Sequence, residues 1–194
     1  MPRTKTEVIA SRLAEMTGLP ESFPDFLSFG ELYEGPFHFA PGEQMWGSGQ
    51  KEGYVWFVQA GYGFDKIDLE DGTTMLNGMI EPGLFVCDEK NLIWGSLTAS
   101  SAKMSTHTTA YRLSTKEWRN FIYSHAHFRS YLYRINAHFL QMRKLRLMKL
   151  KHQDKKEYWA ETKARFPGIE LYCTQTEIAS YFGVSKSTMH RIMK

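Results

Sequence analysis

The chain has 194 residues, 42% hydrophobic and 23% charged, with a formal net charge of +3, which is ample material for a packed core in one or two domains. It has no run of eighteen apolar residues, which excludes a membrane-spanning helix, and the opening Met1–Glu7 stretch lacks an apolar segment, so secretion is not expected. Two cysteines, Cys87 and Cys173, are too few for a disulfide framework, a four-thiolate iron–sulfur cluster or an all-cysteine zinc site, and a reducing cytoplasm is the expected compartment.

Residues 7–16 place Val8, Leu13 and Met16 among good helix formers, predicting a short amphipathic helix closed by Gly18 and Pro20. From Tyr33 to about Ser114, short aromatic and β-branched runs alternate with turn signals at Pro41-Gly42, Gly47-Ser48-Gly49, Gly61-Tyr62-Gly63, Asp71-Gly72 and Pro82-Gly83. That punctuation predicts an antiparallel β-roll. Tyr54–Val58 reads as a buried strand turning at Gly61, and Asp71-Gly72 reads as a hairpin tip.

After Thr115, Phe128, Leu132, Ile135, Phe139 and Met142 recur at helical spacing, and no Pro or Gly intervenes before Pro167. One long helix from Ala126 to about Lys151 follows. Its stripe fits a coiled-coil-like dimer contact, and a stripe packed on the roll would look the same. From residue 141 onward twelve Lys/Arg face five Asp/Glu, so the end of the chain is positive and the rest negative. A positive end suits a polyanion, although Arg143, Lys144, Arg146, Lys149 and Lys151 would also serve as a solvated helix face.

Pro167-Gly168 closes a helix bearing Trp159, and Ile169–Tyr172 reads as a short extended piece. Thr174 with Glu177 three residues later is a capping box, so a helix starts at Gln175. Ile178 and Phe182 face inward, Ala179 permits a close crossing, and Gly183 suits the positive φ of a tight turn. Ser185 caps a second helix on which Met189 and Ile192 close the core. Lys186, Ser187, His190 and Arg191 are left outward, as on a helix that enters a major groove. The whole is a helix-turn-helix pattern at the end of the basic segment.

A turn-rich roll, a long helix and a C-terminal helix-turn-helix, in that order, resemble the Crp/Fnr family of bacterial transcription regulators. The resemblance rests on Pro41-Gly42-Glu43, Val58-Gln59-Ala60-Gly61, Asp71-Gly72 and Pro82-Gly83 in the roll. It rests more specifically on Glu177–Val184 and Arg191-Ile192, which look like Bacteroidetes versions. It implies a cyclic-nucleotide-binding-like roll, a homodimer, a pseudo-palindromic duplex DNA operator with half-sites one helical turn apart, and a contact with RNA polymerase. It also implies base reading by Lys186, Ser187 and Arg191, the last through a guanidinium suited to guanine, and phosphate contacts by Thr174, Gln175, Thr176, Ser185 and Thr188. Lys186 and Ser187 replace the residues more common there, so the family's best-known half-site is not expected.

On the ligand side the chain departs from the family. Phe85-Val86-Cys87 stands where Phe-Gly-Glu is expected, and Ser100-Ser101-Ala102 where Arg-Ser-Ala would neutralise a cyclic phosphate. The cation is missing, so Phe85, Cys87, Ser100 and Ser101 mark a candidate pocket for an unidentified effector other than a cyclic nucleotide. No cofactor is expected. His125, His127 and His138 are read as core or surface histidines, not as metal ligands, and Cys87 as a small buried hydrophobe. Trp46, Trp56 and Trp94 either pack the roll or line a pocket for an aromatic ligand.

A cupin-like metal-dependent enzyme would need more than His38, Glu43 and the distant His107, and no phosphate loop or catalytic triad signature is present. A roll-and-helix interaction module that has lost DNA binding is the other alternative. The expectation is an α+β, non-enzymatic regulator: residues 1–115 a sensor roll, 116–152 a linker and dimerisation helix with Leu132, Ile135, Phe139 and Met142 at the seam, and 153–194 the DNA-binding domain.

Overall fold

The computed structural model describes residues 3–69 and 71–194. Helix α1 (Lys5–Thr17) opens on a capping box between Thr4 and Glu7 and stops at Gly18, whose φ of 71° lets its N–H reach back to the Ala14 carbonyl. A second helix, α2 (Pro24–Glu31), follows with Pro24 at its first position. It is a departure from the sequence reading, which placed no element there.

Among the described residues eight strands then form two four-stranded antiparallel sheets. They are β1 (Glu34–Phe39), β2 (Gln44–Trp46), β3 (Tyr54–Ala60), β4 (Gly63–Asp68), β5 (Thr74–Ile80), β6 (Phe85–Val86), β7 (Ser100–Met104) and β8 (Thr108–Ser114). One sheet runs β1-β8-β3-β6 and the other β2-β7-β4-β5. The β4–β5 hairpin pairs Lys66 with Leu76 and turns at Asp71-Gly72, where Asp71 accepts the Thr73 N–H at 2.9 Å. Side chains alternate along β3: Phe57 joins the helical side of the core, while Trp56 and Val58 join Met45, Trp46 and Ala110 inside the roll.

Helix α3 (Glu89–Trp94) lies between β6 and β7. Then come α4 (Thr115–Ser124), the 27-residue α5 (Ala126–His152), α6 (Lys155–Arg165), α7 (Ile169–Tyr172), α8 (Gln175–Phe182) and α9 (Lys186–Met193). The architecture is therefore α+β, with antiparallel sheets and many helices. Ile169–Tyr172, expected to be extended, is a helical turn. Gly168 at φ 84° redirects the chain, and its carbonyl accepts the N–H groups of Leu171 and Tyr172.

The first half of α5 buries Phe128 and sets Leu132 and Ile135 against the core made by α1 and α2, while Arg134 donates to the Thr17 carbonyl at 2.7 Å. Phe139 and Met142 are half-buried. Tyr133, Leu140 and Leu147 stand out to solvent, 80%, 64% and 65% exposed. The terminal helices share one apolar cluster, including Tyr158, Trp159, Phe166, Ile178, Phe182 and Met189, which continues into the roll through Phe64 and Leu76.

Candidate functional site

Two regions carry the candidate residues, the α8–α9 pair and the interior of the roll. Thr174 caps α8, its hydroxyl accepting the Glu177 N–H at 3.2 Å while the Glu177 carboxylate takes the Thr174 N–H at 2.6 Å. Gly183, at φ 62°, ends α8, and Ser185 starts α9 by accepting the Thr188 N–H at 3.1 Å. Ile178, Ala179, Phe182 and Met189 are buried between the two helices and α6. This leaves Lys186, Ser187, His190 and Arg191 exposed on α9. Thr174 and Thr176 are also exposed, and Gln175 bridges from α8 to His190 Nδ1 at 3.1 Å.

The pair is docked on the roll. Lys66 of β4 reaches the buried Glu177 carboxylate at 2.9 Å and donates to the Tyr172 carbonyl at 2.8 Å. Arg165 makes a two-pronged contact with Glu81 at 2.6 and 2.7 Å. Arg146 of α5 lies 3.5 Å over the Tyr181 ring and donates to the carbonyls of Tyr181 and Asn77. None of these ties was read from the sequence, because their partners lie up to 111 residues apart.

In the roll, Asp88 organises the region around Ser100, where the family's cyclic phosphate would lie. It caps α3 by accepting the Asn91 N–H, and its other oxygen accepts from Ala99 N, Ser100 N and Ser100 Oγ at 2.8, 2.9 and 2.9 Å. A carboxylate of the chain's own therefore takes the donors an anionic ligand would need. The adjoining open cavity of about 610 Å³ is lined by Asp68, Asp71, Asp88 and Glu89, with Lys90 as its cation. Burial beside Glu89 and Asp88 raises the Asp65 carboxyl to about 6, with Asn77 donating to it at 2.6 Å.

Of the residues expected at the effector pocket, Ser100 lines this cavity. Phe85 instead packs on Phe57 and Tyr33, and Ser101 sits in β7 opposite Lys66. Cys87 follows β6, and burial, reinforced by the charges of Glu89 and Asp88, pushes its thiol well above the ordinary range. A separate cavity of about 290 Å³ is walled by Phe37, Phe39, Trp46, Tyr54, Trp56 and Arg112. Arg112 was not singled out in the sequence, since nothing local marks a strand arginine as lying between two rings. Among the described residues no cluster of three or more His, Cys, Asp or Glu is placed to hold a metal, and no helix is long and apolar enough to cross a membrane.

These two sheets with their helices are the cyclic-nucleotide-binding type of β-roll. Solved structures of regulators share it across most of the chain. The c-di-GMP-responsive global regulator CLP of Xanthomonas campestris matches with a TM-score of 0.60 at 16% identity, covering 87% of this chain and 88% of that one. FixK2 of Bradyrhizobium japonicum matches with a TM-score of 0.55 at 18% identity over 82% of each chain. The catabolite activator protein of Thermus thermophilus gives 0.53 at 16% identity over 94% of this chain and 84% of that one. At such identities the likeness establishes the fold. No family model and no curated protein matches the sequence.

Proposed function

We propose that the chain is a homodimeric, sequence-specific DNA-binding transcription regulator of Crp/Fnr type, acting without catalysis, whose effector is not a cyclic nucleotide. The observation that carries this reading is α9. A Ser-capped helix follows a glycine turn and presents Lys186, Ser187, His190 and Arg191 to solvent at the end of the basic segment. Ser185 and Thr188 lie in the first turn of α9 and Thr174, Gln175 and Thr176 at the start of α8, polar groups suited to phosphate contacts. The shared fold with named regulators supports the same reading.

The division into a sensor roll (1–115), a linker and dimer helix (116–152) and a DNA-binding unit (153–194) belongs to this proposal, as does a contact with RNA polymerase. Because Leu132 and Ile135 already pack on the chain's own core, the partner's helix would meet chiefly Tyr133, Leu140 and Leu147, at coiled-coil spacing, flanked by Phe139 and Met142. The acidic lining beside Asp88 supports exclusion of a cyclic phosphate.

Selection of operators from a random duplex library tests the reading, with binding followed against salt. A pseudo-palindromic consensus is expected. Arg191→Ala should cost about 1–3 kcal/mol at one base position, while Lys149→Ala leaves the preference intact. Equal weakening of all sequences by both changes, or no enrichment at all, refutes the assignment and favours an interaction module.

A further inference from the structure

The cavity bounded by β1, β2, β3 and β8 has none of its described lining residues on α8 or α9. Its walls are aromatic on several sides, and two side chains that carry hydrogen-bond donors, Trp56 and Arg112, line it. We propose that this chamber binds a flat aromatic carboxylate.

The first donor is the Trp56 indole. Trp56 is 4% exposed, and its Nε1–H has no hydrogen-bond partner among the described residues. A buried donor left unpaired is costly, so an acceptor that reaches it through a small movement of its neighbours is favoured. The neighbouring Trp46 shows the contrast, since its indole N–H is matched by Ser100 Oγ at 3.2 Å. The second donor is Arg112, whose guanidinium carbon lies 4.3 Å from the ring centres of both Phe37 and Tyr54 and 5.9 Å from that of Trp56. Its Nε donates to the exposed Glu34 at 3.2 Å, and among the described residues the guanidinium has no other acceptor. The remaining edge offers the parallel N–H pair that a carboxylate matches.

Both donors call for acceptors, and the walls call for a ring. Two carboxylates also line the chamber. Asp88 is saturated by its four donors, and Glu52 is exposed to water. The floor is rigid: the Asn91 amide donates to the Lys51 and Ser96 carbonyls at 3.1 and 2.7 Å and accepts from Thr115 Oγ1 at 3.1 Å. A volume of about 290 Å³ suits one or two fused rings. Asp88 lines this chamber and the open acidic cavity alike, so the two share a wall.

The experiment uses the full chain labelled with ¹⁵N-tryptophan. Its five tryptophans give five indole N–H resonances, with Trp56 assigned through Trp56→Phe. Benzoate and indole-3-carboxylate, titrated to about 10 mM, should shift the Trp56 resonance saturably and leave Trp118 and Trp159 in place. Benzamide, with the same outline and no charge, should bind roughly tenfold or more weakly. Arg112→Gln should weaken benzoate by about as much, with the other indole resonances unmoved to show an intact fold. If that variant unfolds, Arg112→Lys, which keeps the charge and loses the planar fork, should show the same weakening. A Trp56 resonance unmoved by either acid, equal binding of benzamide, or unaltered affinity in the folded arginine variant overturns the proposal. None of these readouts involves DNA, so they stand whether or not the chain binds an operator.

Discussion

Replacing Lys66 by Met is expected to destabilise the chain by about 2–3 kcal/mol. The Lys66 side chain is 17% exposed and that of Glu177 9%, so the pair is largely removed from water. Breaking a fully buried pair from one side typically costs about 3–5 kcal/mol, because the surviving charge is left without a counter-ion. Two features reduce the cost here. Glu177 keeps the Thr174 N–H at 2.6 Å, and it sits in the first turn of α8, where the helix dipole favours negative charge. Acting the other way, the Tyr172 carbonyl also loses its donor, worth about 1 kcal/mol. Urea unfolding of the full chain gives the number. The double variant Lys66→Met with Glu177→Gln should recover most of the loss, because glutamine preserves the capping geometry and carries no charge. A single-variant loss below about 0.5 kcal/mol, or a double variant as unstable as the two singles added together, would refute the argument that these groups form one coupled unit.

Asp65, raised by burial to about 6, binds its proton more tightly in the folded chain than at its ordinary value of 3.8. The stability it confers is complete below about 4 and is lost as pH rises through 6, so Asp65→Asn should flatten stability across that window and gain about 1–2 kcal/mol at neutral pH; an unchanged pH profile of urea midpoints would count against it. Burial raises the Cys173 thiol to about 12 and pushes the Cys87 thiol well above its ordinary range, so neither should react with a chromogenic disulfide at pH 8 until the chain unfolds. Rapid native-state labelling at either position would contradict this. Gly53→Ala should cost about 1–3 kcal/mol, since the new methyl would overlap the Asn91 side-chain carbonyl, which is pinned by three hydrogen bonds. A melting temperature equal to that of the parent would show that Asn91 gives way.

What the sequence disclosed and what it concealed follow a physical line. Local rules located α5, whose observed span Ala126–His152 lies within a residue of that read from its unbroken helical period. The Asp71-Gly72 tip, the Thr174 capping box and the Gly183 turn were legible for the same reason, each being set within four residues. Helix α2 escaped because two turns beginning at a proline give no period to count. The four residues of α7 are too few to tell a helical turn from a strand. The roles of Asp88 and Arg112 depend on backbone donors and rings brought from separate strands, and no spacing encodes them. The exposed face of α5 shows a further limit. Periodicity found the helix, but which stripe meets its own core was decided by Phe26 and Phe29 of a helix that had not been read.

The core that crosses from the roll into the terminal helices also fixes a population. Phe64 and Leu76 are 0% and 2% exposed in this arrangement, and uncovering each would cost about 1.5–3 kcal/mol. On that basis alone, chains with the terminal helices swung free amount to roughly one in a hundred to one in ten thousand. Under the proposed function, a duplex that accepts the docked arrangement would bind at full strength. One that requires the free arrangement would bind more weakly by at least that fraction, so two uncharged side chains on one β-hairpin, together with the Lys66–Glu177 pair beside them, would set how readily the C-terminal end of the chain changes posture.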